Sequence, residues 1–371
     1  MRIGLLIYGS LDTLSGGYLY DRKLVEYLLR QGDQVEVVSL PWRNYLLHLG
    51  DNLSRDLLWK LEQQPLDILL QDELNHPSLF YLNELLRRRA RFPVISIVHH
   101  LLSSEARPNW QNRFYSFMER RYLESVDGFI FNSRTTCRVV RDLVGGSQPG
   151  TVAYPAGDRL AAALSPEQIA ARARQPGPLR VFFLGNVIPR KGLHTLLEAL
   201  NQLPGDLWTL SVAGSLEFDR AYASTIKKKV EVLHIQDRVH FLGALQEQEL
   251  VDQFQSRHVL VVPSSYEGFG IAYLEGMGFG LPAIATSAGA AGEIITPGRD
   301  GFLISPGDSQ ALAGHLHRLA SDRQLLLALS LAARDRFAAH PTWDETGAAI
   351  RDFLVNFQPR DLKGEENRPT P

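Results

Sequence analysis

Short apolar runs alternate with helix-length amphipathic segments along most of the chain, and this alternation limits the possible folds more than any other feature. In the first half the apolar runs are 3–8, 35–40, 68–70, 94–98 and 129–131. A second series consists of 181–184, 210–213, 239–242, 259–262 and 283–286. Runs of this length, each followed by a helix-compatible segment, are typical of parallel strands covered by helices. The two series predict an α/β protein with two doubly wound, Rossmann-like domains.

Length and composition fit two domains of ordinary size. The chain has 371 residues, of which 44% are hydrophobic, so two packed cores can form. The net charge of -2 and the pI of about 6.6 give no reason to expect nucleic acid as a partner. The single cysteine, Cys137, excludes a framework of intrachain disulfides and favours a reducing, cytoplasmic location. We expect neither a signal peptide nor a membrane span, because the apolar runs are too short.

The run 259–262 leads into a glycine-rich segment that favours an anion site. Gly268, Phe269 and Gly270 lie between this predicted strand and a helix-compatible segment, 271–277. Free backbone N–H groups and the positive end of the helix dipole gather at such a position, where a phosphate binds well. The pattern therefore predicts a helix N-terminus that binds phosphate.

Two glutamates, Glu267 and Glu275, flank this predicted anion site with seven residues between them. Glu267 precedes the glycines, so its carboxylate lies in the loop and can reach a group beside the phosphate. Glu275 lies about two turns along the helix and can accept a hydrogen bond from a hydroxyl on the other side. Two acceptors around an anion site suit a ligand in which a sugar, a diphosphate and a ribose follow one another.

Several short motifs follow one another along the chain. They are Ser15-Gly16-Gly17, a histidine after the run 94–98, Asn132-Ser133, Lys191-Gly192, the segment from Glu267 to Glu275, and the segment 280–286 followed by Gly289, Glu293, Gly298 and Gly301. In this order they resemble the retaining glycosyltransferases of the GT-B fold, in the large family four group (glycosyl transferases group 1). Each motif alone is a weak signal, but the shared order and spacing are hard to obtain by chance. The resemblance implies two Rossmann-like domains that face each other across a cleft.

The resemblance and the composition together set the expected domain limits. Residues 1–165 would form an N-terminal acceptor-binding domain, and 179–343 a C-terminal nucleotide-sugar-binding domain. The segment 166–178, rich in Ala, Arg, Gln and Pro, is predicted to be a mobile linker. A helix over 344–358 is expected to cross back to the N-terminal domain, as in the family. The polar segment 359–371 has little to bury and is predicted to be disordered.

The family likeness also implies roles for the donor motif. Glu267 would bind hydroxyls of the donor sugar and support positive charge at its anomeric carbon, while Glu275 would bind the ribose. Backbone donors would come from Gly268, Phe269 and Gly270. The implied reaction is a front-face attack with retention of configuration, in which the leaving phosphate takes the acceptor proton. The resemblance implies that no metal ion takes part, and the sequence contains no Asp-X-Asp element to hold one.

A second loop with phosphate-binding character runs from Gly185 to Gly192, between a predicted strand and an amphipathic helix. Arg190 and Lys191 carry positive charge there, and cationic groups stabilise the charge that develops on a diphosphate leaving group. The resembled family places an arginine just after the first glycine, where this chain has Asn186. Either Arg190 makes the phosphate contact of that arginine, or backbone N–H groups make more of the contacts to the phosphate. The alternative is that both basic residues are solvated loop charges.

His99 and His100 follow the predicted strand 94–98. Adjacent strand residues point to opposite sides, so at most one of the two faces a ligand. The family likeness favours His99, which in relatives lies near the transferred sugar and is here counted with the catalytic residues. The alternative is that each histidine merely caps a strand end, which is the interpretation we favour for His100.

Gly16 and Gly17 lie in the first loop, between a predicted strand and an amphipathic segment. Glycine lets the backbone approach a ligand closely. The resemblance places this loop over the diphosphate, which makes both glycines candidate donor-binding residues. The alternative is a turn without a ligand. The loop lacks the Gly-X-Gly-X-X-Gly pattern of dinucleotide sites, which weakens any case for a nicotinamide cofactor.

Two strongly basic segments, 87–91 and 109–121, fall in the predicted acceptor-binding domain, and the second interleaves aromatic residues with arginines. A surface of this kind can dock peripherally on an anionic membrane, which would suit a lipid-linked acceptor. The alternative is a solvated helix face with its aromatic side chains buried beneath it.

Together these features predict a retaining hexosyltransferase. It would move a hexose-type sugar from a UDP-, GDP- or ADP-linked donor to a hydroxyl of a glycan, a lipid or a small molecule, without a cofactor. A sugar-nucleotide epimerase or a phosphorylase on the same fold is an alternative. Asn186, in place of an expected arginine, motivates another: a nucleotide-sugar-binding protein without catalysis.

Overall fold

The computed structural model describes residues 1–146, 148–160 and 164–358, which form two compact units. The first unit contains Met1–Ser103, Arg107–Tyr154 and the segment from Asp344 onward, and the second contains Ser104–Ala106 and Pro155–Trp343. The main division therefore falls between Tyr154 and Pro155, before the predicted limit at 165. The segment 359–371, predicted to be disordered, lies outside the described residues.

The strands occur where the apolar runs predict them. They are β1 (Arg2–Tyr8), β2 (Gln34–Leu40), β3 (Ile68–Asp72), β4 (Val94–Val98), β5 (Gly128–Phe131), β6 (Gly150–Val152), β7 (Leu179–Leu184), β8 (Trp208–Ala213), β9 (Val239–Gly243), β10 (Val259–Val262), β11 (Ala283–Thr286) and β12 (Gly301–Ile304). Every predicted run is a strand in the structure. Two short strands, β6 and β12, were not predicted.

Helices cover the segments between strands. They are α1 (Gly16–Arg30), α2 (Tyr45–Leu49), α3 (Arg55–Gln63), α4 (His76–Arg89), α5 (Asn109–Glu124), α6 (Arg134–Val144), α7 (Pro166–Arg174), α8 (Leu193–Asn201), α9 (Arg220–Val232), α10 (Glu247–Ser256), α11 (Ile271–Gly278), α12 (Ser309–Ser321), α13 (Arg323–Ala338) and α14 (Trp343–Val355). Side-chain caps start several of them, such as Ser15 at α1 and Ser133 at α6. Within the described ranges, none of these helices combines the length and the apolar composition that crossing a membrane requires.

The strands pair in parallel in both units. The strand order is β2-β1-β3-β4-β5-β6 in the first sheet and β12-β11-β10-β7-β8-β9 in the second. In each sheet, the order in which the chain adds strands therefore reverses at one point. This point lies between β1 and β3 in the first unit, and between β7 and β10 in the second. In open α/β sheets, ligands bind outside the carboxyl ends of the strands at such switch points. The topology thus indicates one cluster of loops in each unit as a candidate ligand site.

The central strands are buried on both faces, which explains why their sequences are apolar throughout instead of alternating. Every residue of β4, β5, β10 and β11 is buried. In the second unit, Phe254 packs edge-on against Phe182 and stacks on Phe279, with ring centroids 5.5 and 5.2 Å apart. These packed layers hold the loops at the strand ends in place.

The structure corrects the prediction of a mobile linker over 166–178. Most of this segment is the helix α7, which is part of the second unit. Ile169 is fully buried, and the guanidinium of Arg172 donates hydrogen bonds to the carbonyl oxygens of Phe254 and Gly280. Because these contacts lie within the second unit, the segment is part of its core packing.

The last described helix, α14, lies in the first unit. The Arg351 guanidinium donates to the buried carboxylate of Asp33 at 2.7 Å. Gly347 packs so closely on the Tyr27 ring that an added Cβ would lie 2.3 Å from it. The helix predicted over 344–358 thus corresponds to Trp343–Val355.

Candidate functional site

The loops after β7 and β10 carry the main predicted donor residues. These two strands are neighbours at the switch point of the second sheet. Arg190 and Lys191 lie in a short 3-10 turn after β7, and Glu267 lies in the loop between β10 and α11. The fold therefore brings together residues that are 76 positions apart in the chain.

Lys191 and Glu267 form an ion pair in which Lys191 Nζ lies 2.6 Å from Glu267 Oε2. The Ser264 hydroxyl donates to the same oxygen at 3.0 Å. Burial opposes ionisation of the carboxyl group, but the positive charges of Lys191 and Arg190 outweigh it and lower the pKa of Glu267 to about 2. Burial also lowers the pKa of Lys191, although the charge of Glu267 opposes this shift. Glu267 is therefore a carboxylate at neutral pH.

The backbone at Glu267 is held by the loop after β11. The Glu267 N–H donates to the Ala288 carbonyl at 3.2 Å, and the Ala290 N–H donates to the Glu267 carbonyl at 2.9 Å. Gly289 lies between them with φ +88°, and an added Cβ would come within 2.0 Å of the Glu267 carbonyl oxygen. Only glycine allows this approach, so the Gly289 of the family motif fixes the position of Glu267.

Arg190 belongs to the same cluster. Its Nη1 donates to the Tyr266 carbonyl oxygen at 2.9 Å, and the Ser265 N–H donates to the Arg190 carbonyl at 2.8 Å. Asn186, where the family has an arginine, instead accepts a hydrogen bond from the Ser215 N–H at 3.4 Å. The positive charges that act on Glu267 are those of Lys191 and Arg190.

The predicted helix N-terminus is present. Gly270 precedes α11 with φ +105° and, as a glycine at the N-cap position, has no side chain to cap the helix. The Phe269 ring is buried, 5.8 Å from the ring of His340, so its contribution to a ligand would come from the backbone. Together with Gly268, these residues form the turn that the sequence predicts for an anion.

Glu275 is buried in α11 and is not free in this structure. The guanidinium of Arg159 binds its carboxylate through Nε, and Arg159 Nη1 lies 3.2 Å from the carboxylate of Glu247. Burial raises the pKa of Glu275, and the charge of Arg159 opposes this shift. The sequence predicted a carboxylate available to a ribose, and no local pattern indicated Arg159, which lies 116 positions away.

In the first unit, His99 follows β4 and lies against the start of α1. His99 Nε2 is 3.3 Å from Oδ1 of Asp21, whose side chain is fully buried. Gly17 approaches the ring closely, since an added Cβ would lie 3.1 Å from His99 Cδ2. The neighbouring Gly16 is the first residue of α1. Gly17 thus makes room for the histidine, a role that the sequence pattern did not indicate.

The buried acids beside His99 favour its charged form. Burial alone would lower the pKa of His99, but the hydrogen bond and charge of Asp21, together with the charge of Asp72, raise it to about 9. Burial and the charge of Asp21 in turn raise the pKa of Asp72 to about 7. His99 is therefore an imidazolium at neutral pH, suited to donate hydrogen bonds.

Two polar clusters of the first unit bring possible metal-binding atoms within 4.8 Å of one another, among the residues that the structure describes. One consists of Asp21, Asp72 and His99, and the other of Glu73, His76 and Glu119. In both, the side chains already bind protein groups. Asp21 binds His99, and Glu119 accepts from the backbone of Ser103. We therefore interpret both as hydrogen-bonded clusters.

Sequence comparisons relate much of the second unit to a known protein family. Residues 165–336 match the family model described as glycosyl transferases group 1. A glycogen synthase from Mycobacterium tuberculosis (strain CDC 1551 / Oshkosh) is 28% identical over 209 residues, which cover 54% of this chain and 47% of the relative. A D-inositol 3-phosphate glycosyltransferase from Streptomyces avermitilis is 32% identical over 196 residues, which cover 50% and 42%. The chain thus spans about half the length of the curated relatives it matches.

Solved structures resemble nearly the whole chain. A sucrose-phosphate synthase from Thermosynechococcus elongatus has a TM-score of 0.81 at 22% identity, and the match covers 95% of this chain and 98% of that one. HepE from Anabaena, solved in complex with UDP-glucose, has a TM-score of 0.77 at 21% identity and covers 96% and 100%. These likenesses confirm the predicted GT-B fold.

Proposed function

We propose that this chain, whose residues 165–336 match the family model described as glycosyl transferases group 1, is a retaining glycosyltransferase. It moves a hexose-type sugar from a nucleoside diphosphate donor to an acceptor hydroxyl without a metal ion. The observation that carries the proposal is the ion pair between Lys191 and Glu267 at the switch point of the second sheet.

In the proposed reaction, this pair supplies opposite charges to the two ends of the breaking glycosidic bond. A diphosphate leaving group gains negative charge, which Lys191 and Arg190 stabilise, and the anomeric carbon gains positive charge, which the carboxylate of Glu267 supports. Ser264 and Lys191 hold that carboxylate in place. Such a restrained group suits binding and electrostatic support better than covalent attack, which favours front-face transfer with retention.

The donor class follows from the helix N-terminus and from a structural relative. The helix N-terminus at Gly270 suits a phosphate. HepE, which shares the fold, was solved with UDP-glucose. Because Lys191 and Arg190 supply the positive charge that a divalent cation provides in other transferases, the proposed reaction needs no metal.

The acceptor side of the proposal rests on His99. Its ring is fixed by Asp21 through Nε2, and it carries a positive charge at neutral pH. A charged imidazole with one nitrogen occupied can donate from the other to a sugar or acceptor hydroxyl. We therefore assign His99 to orientation of the substrates, since an imidazolium cannot accept the acceptor proton.

The first test is calorimetric titration with UDP, GDP, ADP and NAD. We expect one nucleoside diphosphate to bind and NAD not to bind. NMR of a transfer reaction with the matching sugar donor then reports the anomeric configuration of the product, with and without EDTA. An inverted product, or loss of transfer in EDTA that added divalent metal restores, would contradict the corresponding part of the proposal.

The same experiment separates the alternative functions. An epimerase changes the donor without an acceptor, and a phosphorylase requires inorganic phosphate. A binding protein takes up nucleotide and turns over no donor. The Glu267→Gln and Lys191→Ala variants should lose transfer, whereas Glu198→Gln, in the partly exposed pair of Glu198 with Lys229, should not.

A further inference from the structure

The helix α5 has an outer face that is unusually apolar for an exposed surface. The side chains of Trp110, Phe114 and Phe117 are exposed by 70%, 38% and 57%. They recur at intervals of four and three residues, which places them along one side of the helix. Glu119 and Leu123, on the opposite side, are buried. The sequence left two interpretations of this segment, and the exposure of these three side chains argues against the one in which its aromatic residues are buried.

A second apolar segment lies beside α5. Trp42 and the residues Leu46 and Leu47 of α2 are exposed by 63%, 72% and 58%. The ring of Tyr45, between them in sequence, lies 5.8 Å from the ring of Phe114 and 5.0 Å from that of Tyr115, measured between centroids. The two segments are therefore neighbours. We call the surface formed by Trp42, Leu46, Leu47, Trp110, Phe114 and Phe117 the aromatic face.

Positive charge accompanies the aromatic face. Arg113 is exposed on the same side of α5, next to Phe114, and forms no ion pair with any residue that the structure describes. Arg120 and Arg121 follow one turn later, and their carboxylate partners are Glu124 and Glu84. Both of these carboxylates are thus already paired, and Arg113 adds a positive charge, unpaired among the described residues, to this side of the helix.

We propose that the aromatic face docks on a membrane surface that contains anionic lipid. Tryptophan and phenylalanine enter the boundary between headgroups and acyl chains, while arginine remains at the level of the lipid phosphates. A mixed aromatic and basic helix face fits that boundary. A second copy of the chain fits less well, because a symmetric contact would bring Arg113 towards its own copy without a free carboxylate on the face to balance it.

The position of α5 gives this docking a consequence for the acceptor, and this step rests on the proposed function. On the inner side of the helix, Glu119 accepts hydrogen bonds from the backbone N–H groups of Leu102 and Ser103. This short segment follows His99 directly in the chain. A docked α5 would therefore hold the candidate acceptor residues close to the lipid surface, as a lipid-linked acceptor requires.

Vesicle flotation tests the docking without reference to transferase activity. The full chain is mixed with phosphatidylcholine vesicles and with vesicles in which part of this lipid is replaced by phosphatidylglycerol. We expect the protein to float with the anionic vesicles and the bound fraction to fall at high salt. A triple variant, Trp110→Ser, Phe114→Ser and Phe117→Ser, should reduce binding about tenfold, and Arg113→Glu should reduce it at low salt.

A matched control comes from the second unit, where Phe218 and Val232 are also exposed, by 59% and 74%. The variant Phe218→Ser with Val232→Ser should float like the original chain. Circular dichroism and thermal melting verify that each variant is folded. If the triple variant is unfolded, the single variants Arg113→Glu and Trp110→Ser test the proposal in its place. Protein that stays unbound by anionic vesicles overturns the proposal. The proposal is also overturned if the original chain is a dimer and the triple variant is a monomer, because a second copy of the chain then covers the aromatic face.

Discussion

Arg159 binds the carboxylate of Glu275 on α11, at the position where the donor motif predicts a contact with the nucleotide ribose. The same guanidinium reaches Glu247, which lies at the surface. A nucleotide that binds at Glu275, as we propose, must share this carboxylate with Arg159 or displace Arg159. The contact links the loop that follows β6 to the donor motif, within the second unit.

The Glu275→Gln substitution tests whether this carboxylate binds the nucleotide. It keeps the shape of the side chain and removes the charge, and a hydrogen bond to a charged group is stronger than one to a neutral group by about 1–1.5 kcal/mol. We expect nucleotide affinity to fall about tenfold in calorimetry. The control is Glu247→Gln, which changes the other partner of Arg159 and should leave affinity within about twofold. Equal losses in both variants would show that the effect runs through Arg159.

The Lys191→Ala substitution tests the electrostatic role of the ion pair. Loss of one preorganised charge beside a developing anion lowers kcat by about a hundredfold to a thousandfold. We expect a smaller change in KM, because the contact strengthens as the leaving group departs. Steady-state kinetics with the donor found by calorimetry measures both. An unchanged kcat would remove Lys191 from the catalytic residues, and Lys229→Ala is the control on an exposed pair.

The Asp21→Asn substitution tests the charge state of His99. Three groups face this histidine: Asp21 from α1, Asp72 from the end of β3, and Glu73 beyond it. The pKa of His99 is raised from 6.5 to about 9, so its contribution to stability is complete below pH 6.5 and is lost as the pH rises through 9. Without the charge of Asp21, we expect the pKa to fall and the unfolding free energy at pH 7 to drop by about 2 kcal/mol.

NMR of ¹⁵N-labelled histidine measures that pKa directly, and His99→Gln assigns the signal. The transfer rate should fall at high pH as His99 loses its proton. In Asp21→Asn this fall should occur at a pH closer to neutral. A substitution that lowered stability without moving either the NMR titration or the pH profile would mean that Asp21 has a packing role only.

The strand pattern could be predicted well because the central strands are buried on both faces and need unbroken apolar runs. The strands that were missed, β6 and β12, are three and four residues long, lie at the sheet edges and begin with Gly150 and Gly301. Glycine and short length weaken the apolar signal. Such strands are defined by their neighbours in the sheet, which a local pattern does not contain.

The candidate site also contains both residues that the sequence predicted and residues that it did not. Glu267 and Lys191 stand in local motifs that the sequence displays, and the structure brings them into contact. Asp21 and Arg159 were missed because each acts through a partner 78 or 116 positions away, and neither lies in a recognisable motif. A local sequence pattern can indicate loops and helix caps. The contacts of Asp21 and Arg159 with their partners instead follow from the order of strands in the sheets. The helix α7 is different, because a local signal for it was present and was outweighed by composition.

The start of α7 carries a capping box, in which Ser165 and Gln168 each bind the backbone of the other. Pro166, taken as a mark of a flexible segment, occupies the first turn, where proline favours a helix. Ile169 is fully buried, and its side chain lies so close to Gly280 that an added Cβ there would be 2.7 Å away. The Ile169→Ala substitution should therefore lower the unfolding free energy by about 2–4 kcal/mol. Chemical denaturation measures this, with Glu167→Ala on the exposed side of the same helix as the control; a mobile linker would tolerate both changes equally.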